Sequence, residues 1–330
     1  MPPHPPGPRD GASARRRLDD GLFVPVHGLD QWIALRGDHA DNPALMIVSG
    51  PGAAFSPMAP VFAPWEADFT LVHWDQPNAG ATCARSGWVE PYTLDRLGAD
   101  GIAVAEFVRE RLGVPLALFC VSGGTPVGLK MIRARPDLFV AYVGNGQIVA
   151  RAEQEAASYA RVLADARAAG DADAVTALEA VGPPPWPDLA AEVVKSAHAN
   201  ALTASERAAF AALPPGALGP PPAGAAYVPH GLPAQDVRAQ ATAAYAAIRA
   251  ELGAFDARAL GLDYAVPMVL LQGAEDRHTT SPEVEAWAAG LRAPSITYVP
   301  IPDAGHMSTF LTHDIAALLA QHVRPLCLKA

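Results

Sequence analysis

The chain has 330 residues, 50% of them hydrophobic and 18% charged, which is enough apolar material for a large core in one big α/β domain with an insertion, or in two domains. A formal net charge of −10 with few Lys and Arg argues against a nucleic-acid binder, and it favours a neutral or cationic substrate or serves solubility alone. The three cysteines form no CxxC pair and the ten histidines show no HExxH-type spacing, so neither a disulfide scaffold nor a metal site is expected, and a reducing, cytoplasmic setting is.

Met1 to Arg17 is rich in Pro and Gly and ends in Arg15-Arg16-Arg17. No apolar stretch of the secretory kind follows, so residues 1–17 read as a disordered leader, with a basic contact arm as the alternative. No segment has the apolar length needed to cross a membrane. Phe23 to His27 and Gln31 to Gly37 look like an opening hairpin. Three short apolar runs follow, Ala44 to Val48, Phe69 to Trp74 and Leu116 to Val121, as expected of strands buried on both faces in a parallel sheet. Between the last two, Leu94, Leu97, Ile102, Val104, Phe107 and Val108 give Thr93 to Leu112 the period of an amphipathic helix. Ala141 to Val143, Pro267 to Gln272 and Ile296 to Ile301 resume the strand pattern, and Met307 to Val323 predicts a closing helix. The order strand, helix, strand, helix predicts a mostly parallel central sheet flanked by helices.

From about Gln147 to Leu262 the strand signals vanish. Ala-rich helical segments take over at Glu153 to Ala169, Ala172 to Val181 and Asp236 to Leu252. They are broken by Gly182-Pro183-Pro184-Pro185-Trp186-Pro187 and by a Pro/Gly/Ala stretch from Leu213 to Pro222, which cannot continue a helix. The simplest organisation is a core formed by residues 18–146 and 263–330, with a helical cap, 147–262, inserted over the carboxyl ends of the strands. A large cap predicts a closed pocket and selection by size.

Three loops after predicted strands carry the chemistry. Ser122 lies in Cys120-Val121-Ser122-Gly123-Gly124, where a sharp strand-to-helix turn can lift a nucleophile above the sheet; a plain helix N-cap is the other reading. Asp276 follows Gly273-Ala274-Glu275 and can orient a base, or be a turn residue. Neighbouring Glu275 should face the other way. His306, in Ala304-Gly305-His306, fits a general base or a solvated loop histidine, with His278 as the rival base. The order Ser, Asp, His is that of the α/β-hydrolase triad and not of the chymotrypsin or subtilisin orders. For an oxyanion hole, the amide of Gly123 is one candidate donor and that of Gly50, in Ser49-Gly50-Pro51-Gly52, the other; an ordinary Pro-Gly turn is the alternative there.

Over nearly all of Phe23 to Phe310 the chain resembles the proline iminopeptidase branch of the α/β-hydrolases. Gln31-Trp32-Ile33, Arg36-Gly37 and Asn42-Pro43 are similar to the opening strands of that family. Ser49-Gly50-Pro51-Gly52 stands where its members carry HGGPG, and Trp74-Asp75-Gln76-Pro77-Asn78-Ala79-Gly80 where they carry WDQRGAG. Cys120 to Gly124 stands in place of GHSxG, and Gly144-Asn145-Gly146-Gln147 through Tyr159 to Gly182-Pro183-Pro184-Pro185 is similar to the cap opening of a bacterial subgroup. The resemblance implies a cofactor-free serine hydrolase in which Ser122 attacks an acyl carbon, His306 shuttles the proton and Asp276 holds the imidazole. Members with the peptidase activity bind the substrate amine with cap carboxylates, for which Glu153 and Glu155 are the candidates here, with a solvated first helical turn as the alternative, and Ser49 is a third candidate for substrate binding. Ser49, Pro77, Asn78, Cys120 and Gly123 depart from the family pattern around the acyl pocket. The implied partner is a small-molecule or short-peptide substrate, with no nucleic acid and no membrane. The competing readings are an aminopeptidase or small-amide hydrolase, a carboxylesterase for small or medium acyl esters, and a hydrolase-fold binding protein or repurposed enzyme of low activity.

Overall fold

A computed structural model of the chain describes residues 17–213 and 237–329. The leader but for Arg17, the Pro/Gly/Ala stretch beyond Leu213 and Asp236 lie outside the described residues. The opening hairpin pairs β1 (Leu18–Val26) with β2 (Leu29–Gly37) through a two-residue turn, His27-Gly28, both at positive φ. That geometry matches the twist of the flanking strands. β1 therefore starts five residues earlier than predicted, and His27 belongs to the turn. β2 pairs antiparallel with β4 (Thr70–Asp75), and every later pairing is parallel: β4 with β3 (Ala44–Val48), β3 with β5 (Leu116–Val121), β5 with β6 (Ala141–Asn145), β6 with β7 (Met268–Gly273) and β7 with β8 (Ile296–Ile301). The eight strands form one sheet in the order β1-β2-β4-β3-β5-β6-β7-β8.

The central strands are apolar throughout because both faces are covered. On one face Met46, Val48, Leu118, Cys120, Tyr142 and Leu270 pack with α2 (Leu94–Leu112), α3 (Gly124–Ala134), α8 (Val237–Gly253) and α9 (Ser281–Gly290). On the other, Leu45, Ile47, Phe119, Val143 and Leu271 meet the 3-10 segment Ser56–Trp65 and α10 (Thr312–His322). α2 has the predicted extent. Thr93 caps its first turn through Arg96 N, and Gly113 ends it in the left-handed conformation. The helix predicted from Met307 is shorter: Ser308–Phe310 is a 3-10 turn, α10 starts at Thr312, and α11 (Arg324–Cys327) follows. Ser308 and Thr309 turn their hydroxyls onto the buried Asn145 instead of entering a helix.

Among the described residues five α-helices lie between β6 and β7: α4 (Arg151–Ala169), α5 (Ala172–Val181), α6 (Leu189–Ala199), α7 (Ala204–Ala212) and α8. α4 begins two residues before the predicted start. α6 and α7 lie where no helix is predicted from the sequence, and Asp188 and Thr203 cap them. Tyr159, Val162, Leu178, Trp186 and Ala199 form a separate apolar cluster within this insertion. Ala244, Ile248 and Leu252 of α8, however, join the main core on the α2 face.

Candidate active site

The turn between β5 and α3 is built by close backbone approach. Ser122 has φ +49°, a conformation that non-glycine residues rarely hold without support. Its N–H donates to Asn145 O at 2.9 Å. Its carbonyl accepts Thr125 Oγ1 at 2.7 Å, and that hydroxyl in turn accepts from Ile148 N. A Cβ at Gly124 would lie 2.1 Å from Val48 O, so α3 can start against the end of β3 only with glycine there. Cys120, standing in place of the first glycine of a GHSxG pattern, has a similar explanation one turn on. A Cβ at Gly128 would sit 2.1 Å from Cys120 Sγ, so the thiol fills space that Gly128 leaves open. Burial pushes that thiol well above its ordinary pKa, which makes it packing material and not a reactive group.

Above this turn three side chains from three strand ends form one hydrogen-bonded chain. Ser122 Oγ lies 2.9 Å from His306 Nε2, and His306 Nδ1 lies 2.9 Å and 3.1 Å from the two oxygens of Asp276. With its proton on Nδ1, the imidazole donates to Asp276 and accepts from Ser122. Asp276 is held by more than the ring. Its Oδ1 accepts from His278 N and Thr279 N, and its Oδ2 from Thr279 Oγ1 and Gln272 Nε2. Burial pushes the Asp276 carboxyl up, but the charge and hydrogen bond of His306, with those from Thr279, outweigh it and hold the group below the usual carboxylate range. Glu275 faces away and is half exposed beside Arg161. His278, the rival base, packs against His306 with ring centroids 4.7 Å apart and the planes tilted by 47°, and its Nε2 donates to Asn200 Oδ1 at 2.8 Å. Burial first, then the charges of His306, Lys195 and Arg151, push its pKa well down, so it is a neutral wall beside His306.

The loop after β3 faces the Ser122 turn. A Cβ at Gly50 would meet Gly123 N and Cα at 3.7 Å, and among the described residues neither amide donates to a protein acceptor. Ser49 is buried and spends its hydroxyl on Ala53 O at 2.5 Å, shaping this loop, while Gln76 Nε2 donates to Ser49 O. Asn78 takes φ +63° and bonds Val89 through both ends of its amide, which latches the following segment to the loop. Of the two cap carboxylates, Glu153 is exposed and paired with Arg258. Glu155 is nearly buried between Arg151 and Lys195, with Lys195 Nζ at 2.6 Å. Burial pushes the Lys195 ammonium down, against the raising effect of Glu155.

Over 93% of this chain and 99% of the other, the structure superposes on a proline iminopeptidase-related protein from Thermus thermophilus, with a TM-score of 0.61 at 21% identity. An esterase from Thermogutta terrifontis matches over 94% and 99% with a TM-score of 0.56 at 15% identity. A 2-hydroxy-6-oxo-6-phenylhexa-2,4-dienoate hydrolase from Rhodococcus matches over 94% and 100% with a TM-score of 0.55 at 18% identity. The chain has the α/β-hydrolase fold. A probable aminopeptidase of Bacillus subtilis is 26% identical over 164 residues, 47% of this chain, and the match spans 50% of that relative's length. No protein-family model matches the chain.

On this α/β-hydrolase fold the groups that support the three loops are not among the residues predicted from the sequence. Asn145, Gln272, Thr279 and Glu206 are all buried and hydrogen-bonded to loop atoms or to Asp276. Thr203-Ala204-Ser205-Glu206 has the spacing of a helix capping box, which marks a helix start but not a contact with the loop, and Asn145 and Gln272 are polar residues ending apolar strands; Thr279 gives no signal. Among the described residues no group of three or more His, Cys, Asp and Glu is placed to hold a metal ion, and no helix is long and apolar enough to cross a membrane.

Proposed function

We propose that the protein is a serine hydrolase that works through an acyl-enzyme. The observation that carries this is the continuous chain Ser122 Oγ, His306, Asp276 ending on a positive-φ serine. Ser122 Oγ attacks the acyl carbon as its proton passes to His306 Nε2. Asp276 keeps the imidazole in the right tautomer and stabilises the imidazolium. The amides of Gly50 and Gly123 face the developing oxyanion, and His306 returns the proton to the leaving group. Water then repeats the sequence to free the acid. No cofactor takes part. Helices α4 to α8 act as a cap, residues 147–262 between core segments 18–146 and 263–330, that limits the substrate to a small molecule or short peptide. The three cysteines are free, in keeping with a cytoplasmic setting.

The bond cleaved is a small amide, peptide or ester, which agrees with the aminopeptidase name of the Bacillus subtilis relative and the esterase among the structural matches. One observation favours the carboxylesterase side. Glu153 is taken by Arg258 and Glu155 by Arg151 and Lys195, so neither is free to receive a cationic amine. The test is kcat/KM on a proline arylamide and on p-nitrophenyl butyrate, for wild type and Ser122→Ala. Arylamide turnover lost in the variant supports the peptidase; ester turnover alone, also lost, supports the carboxylesterase. Equal, feeble rates in both proteins refute the hydrolase and leave a binding protein on this fold.

A further inference from the structure

We infer that Glu206, on α7 of the inserted helices, is a positioning residue for His306, and so ties the insertion to proton transfer. The inference rests on the hydrolase reading above. Glu206 stands at the third position of α7, where a glutamate ordinarily reaches back to the N-cap backbone, and it does so: Oε2 accepts from Thr203 N at 2.9 Å. Its other oxygen leaves the helix altogether. Oε1 accepts from Gly305 N at 2.8 Å, the amide immediately before His306. The carboxylate is 1% exposed and lies against the backbone itself, since a Cβ at Gly305 would meet Oε2 at 2.9 Å. Glycine at position 305 is therefore a condition of this contact.

The loop answers with a second joint. Asp303 takes φ +48°, and its Oδ2 accepts both Ser205 N and Ser205 Oγ at the start of α7. Thr203 Oγ1 donates to Asp303 O at 2.7 Å. On its far side the same loop is fixed to the strand end that carries Asp276, through Glu275 N to Ala304 O at 2.8 Å. Residues 303–306 are thus held between α7 and the end of β7. The second of these supports belongs to the sheet, and the first belongs to the insertion. His306 must keep about 3 Å contacts to Ser122 and Asp276 at once, and a misplacement of roughly 1 Å at such a site costs up to about 100-fold in rate. A helix cap needs only the Thr203 contact; the Gly305 contact is what sets the base.

The experiment is steady-state hydrolysis of p-nitrophenyl butyrate, with the rate of Ser122 labelling by a fluorophosphonate as a second readout. Glu206→Ala is expected to lower kcat by about 10- to 100-fold with KM within about twofold, and to slow labelling by a similar factor. Glu206→Gln, which keeps one oxygen for Gly305 N, should recover most of the loss. Ser205→Ala loosens the α7 joint without touching Gly305 and should stay within about twofold of wild type. Should the Ala variant fail to fold, Glu206→Asp, too short to reach Gly305, carries the same expectation. Unchanged kcat in the Glu206 variants overturns the positioning role. So does a loss that Ser205→Ala shares in full, because it would make α7 docking the whole effect. If wild type shows no turnover that Ser122→Ala abolishes, the hydrolase reading itself fails and this role falls with it.

Discussion

Asp75, at the end of β4, offers a test of the electrostatics that needs no substrate. The carboxyl is fully buried, and its pKa is raised from 3.8 to about 6. Burial raises it, opposed only in part by hydrogen bonds from Ala81 N at 2.9 Å and Ser56 Oγ at 2.8 Å, both to Oδ2, and by the Ser56 backbone N–H. Oδ1 has no hydrogen-bond partner among the described residues. In Asp75→Asn the amide oxygen can take the Oδ2 place and keep both bonds, while the NH2 replaces the oxygen that bonded nothing. What changes is the charge. Between pH 3.8 and 6 the folded wild type binds more protons at this site than the unfolded chain does. Its stability contribution is therefore fully present below the unfolded pKa and is lost as pH rises through about 6. A displacement of about two pK units corresponds to roughly 3 kcal/mol, an upper figure for a group that can relax. Urea unfolding of both proteins at pH 4 and pH 7 measures it, because the other titrating groups cancel in the difference. Asp75→Asn should gain on wild type by about 1–3 kcal/mol between the two pH values. A difference that stays flat, or grows toward acid pH, refutes the argument.

Asp276→Asn should reduce kcat by about four powers of ten with the fold intact, since an amide no longer enforces the Nδ1-protonated tautomer of His306; circular dichroism with ester kinetics checks both halves. Gly128→Ala drives a methyl into Cys120 Sγ and should cost about 1–3 kcal/mol, whereas in a Cys120→Gly background the same change should cost at least about 1 kcal/mol less. A double-mutant cycle from urea midpoints reads that coupling. Glu155→Ala strands Lys195 in the interior and should destabilise by about 3 kcal/mol, while Glu153→Ala, on the surface, should change stability by less than about 0.5 kcal/mol. Thermal melts of the two variants separate them.

The strands at the centre of the sheet and the three loops that follow them were readable from sequence because burial on both faces leaves an uninterrupted apolar run ended by turn residues. Ala44 to Val48 and Leu116 to Val121 match their strands residue for residue. β6 runs two residues past its prediction because Gly144 and Asn145 carry no apolar signal, although Asn145 is buried and holds the Ser122 amide. The helices α6 and α7 escaped for a related reason: their buried residues are Ala199, Lys195 and Glu206, which give no apolar period. α9 does carry one, Val284, Trp287 and Ala288 at i, i+3 and i+4, and was legible though not predicted. The cap carboxylates were proposed from their place at the start of a helix, and a position on the chain says nothing about which cation a side chain will meet. Glu153 and Glu155 differ by two residues and hence by about 200° around the helix, enough to send one to solvent and the other between Arg151 and Lys195. Glu206 could not be found at all without the fold, because its partner is 99 residues away.

β8 is the last strand of the sheet, paired among the described residues with β7 alone and half exposed along its length, and the loop after it carries His306. The opposing serine is 184 residues earlier, at the centre of the sheet. The two side chains therefore come from an interior strand and an edge strand of the same sheet. An edge strand can detach while the interior stays folded, since local opening draws on the free energy of a few contacts and not of the whole. Denaturant or heat should then extinguish turnover at concentrations and temperatures where the emission of buried Trp65 and Trp74 is still native. During refolding the order reverses: the core acquires its fluorescence first, and the proposed activity returns only when the margin of the sheet closes.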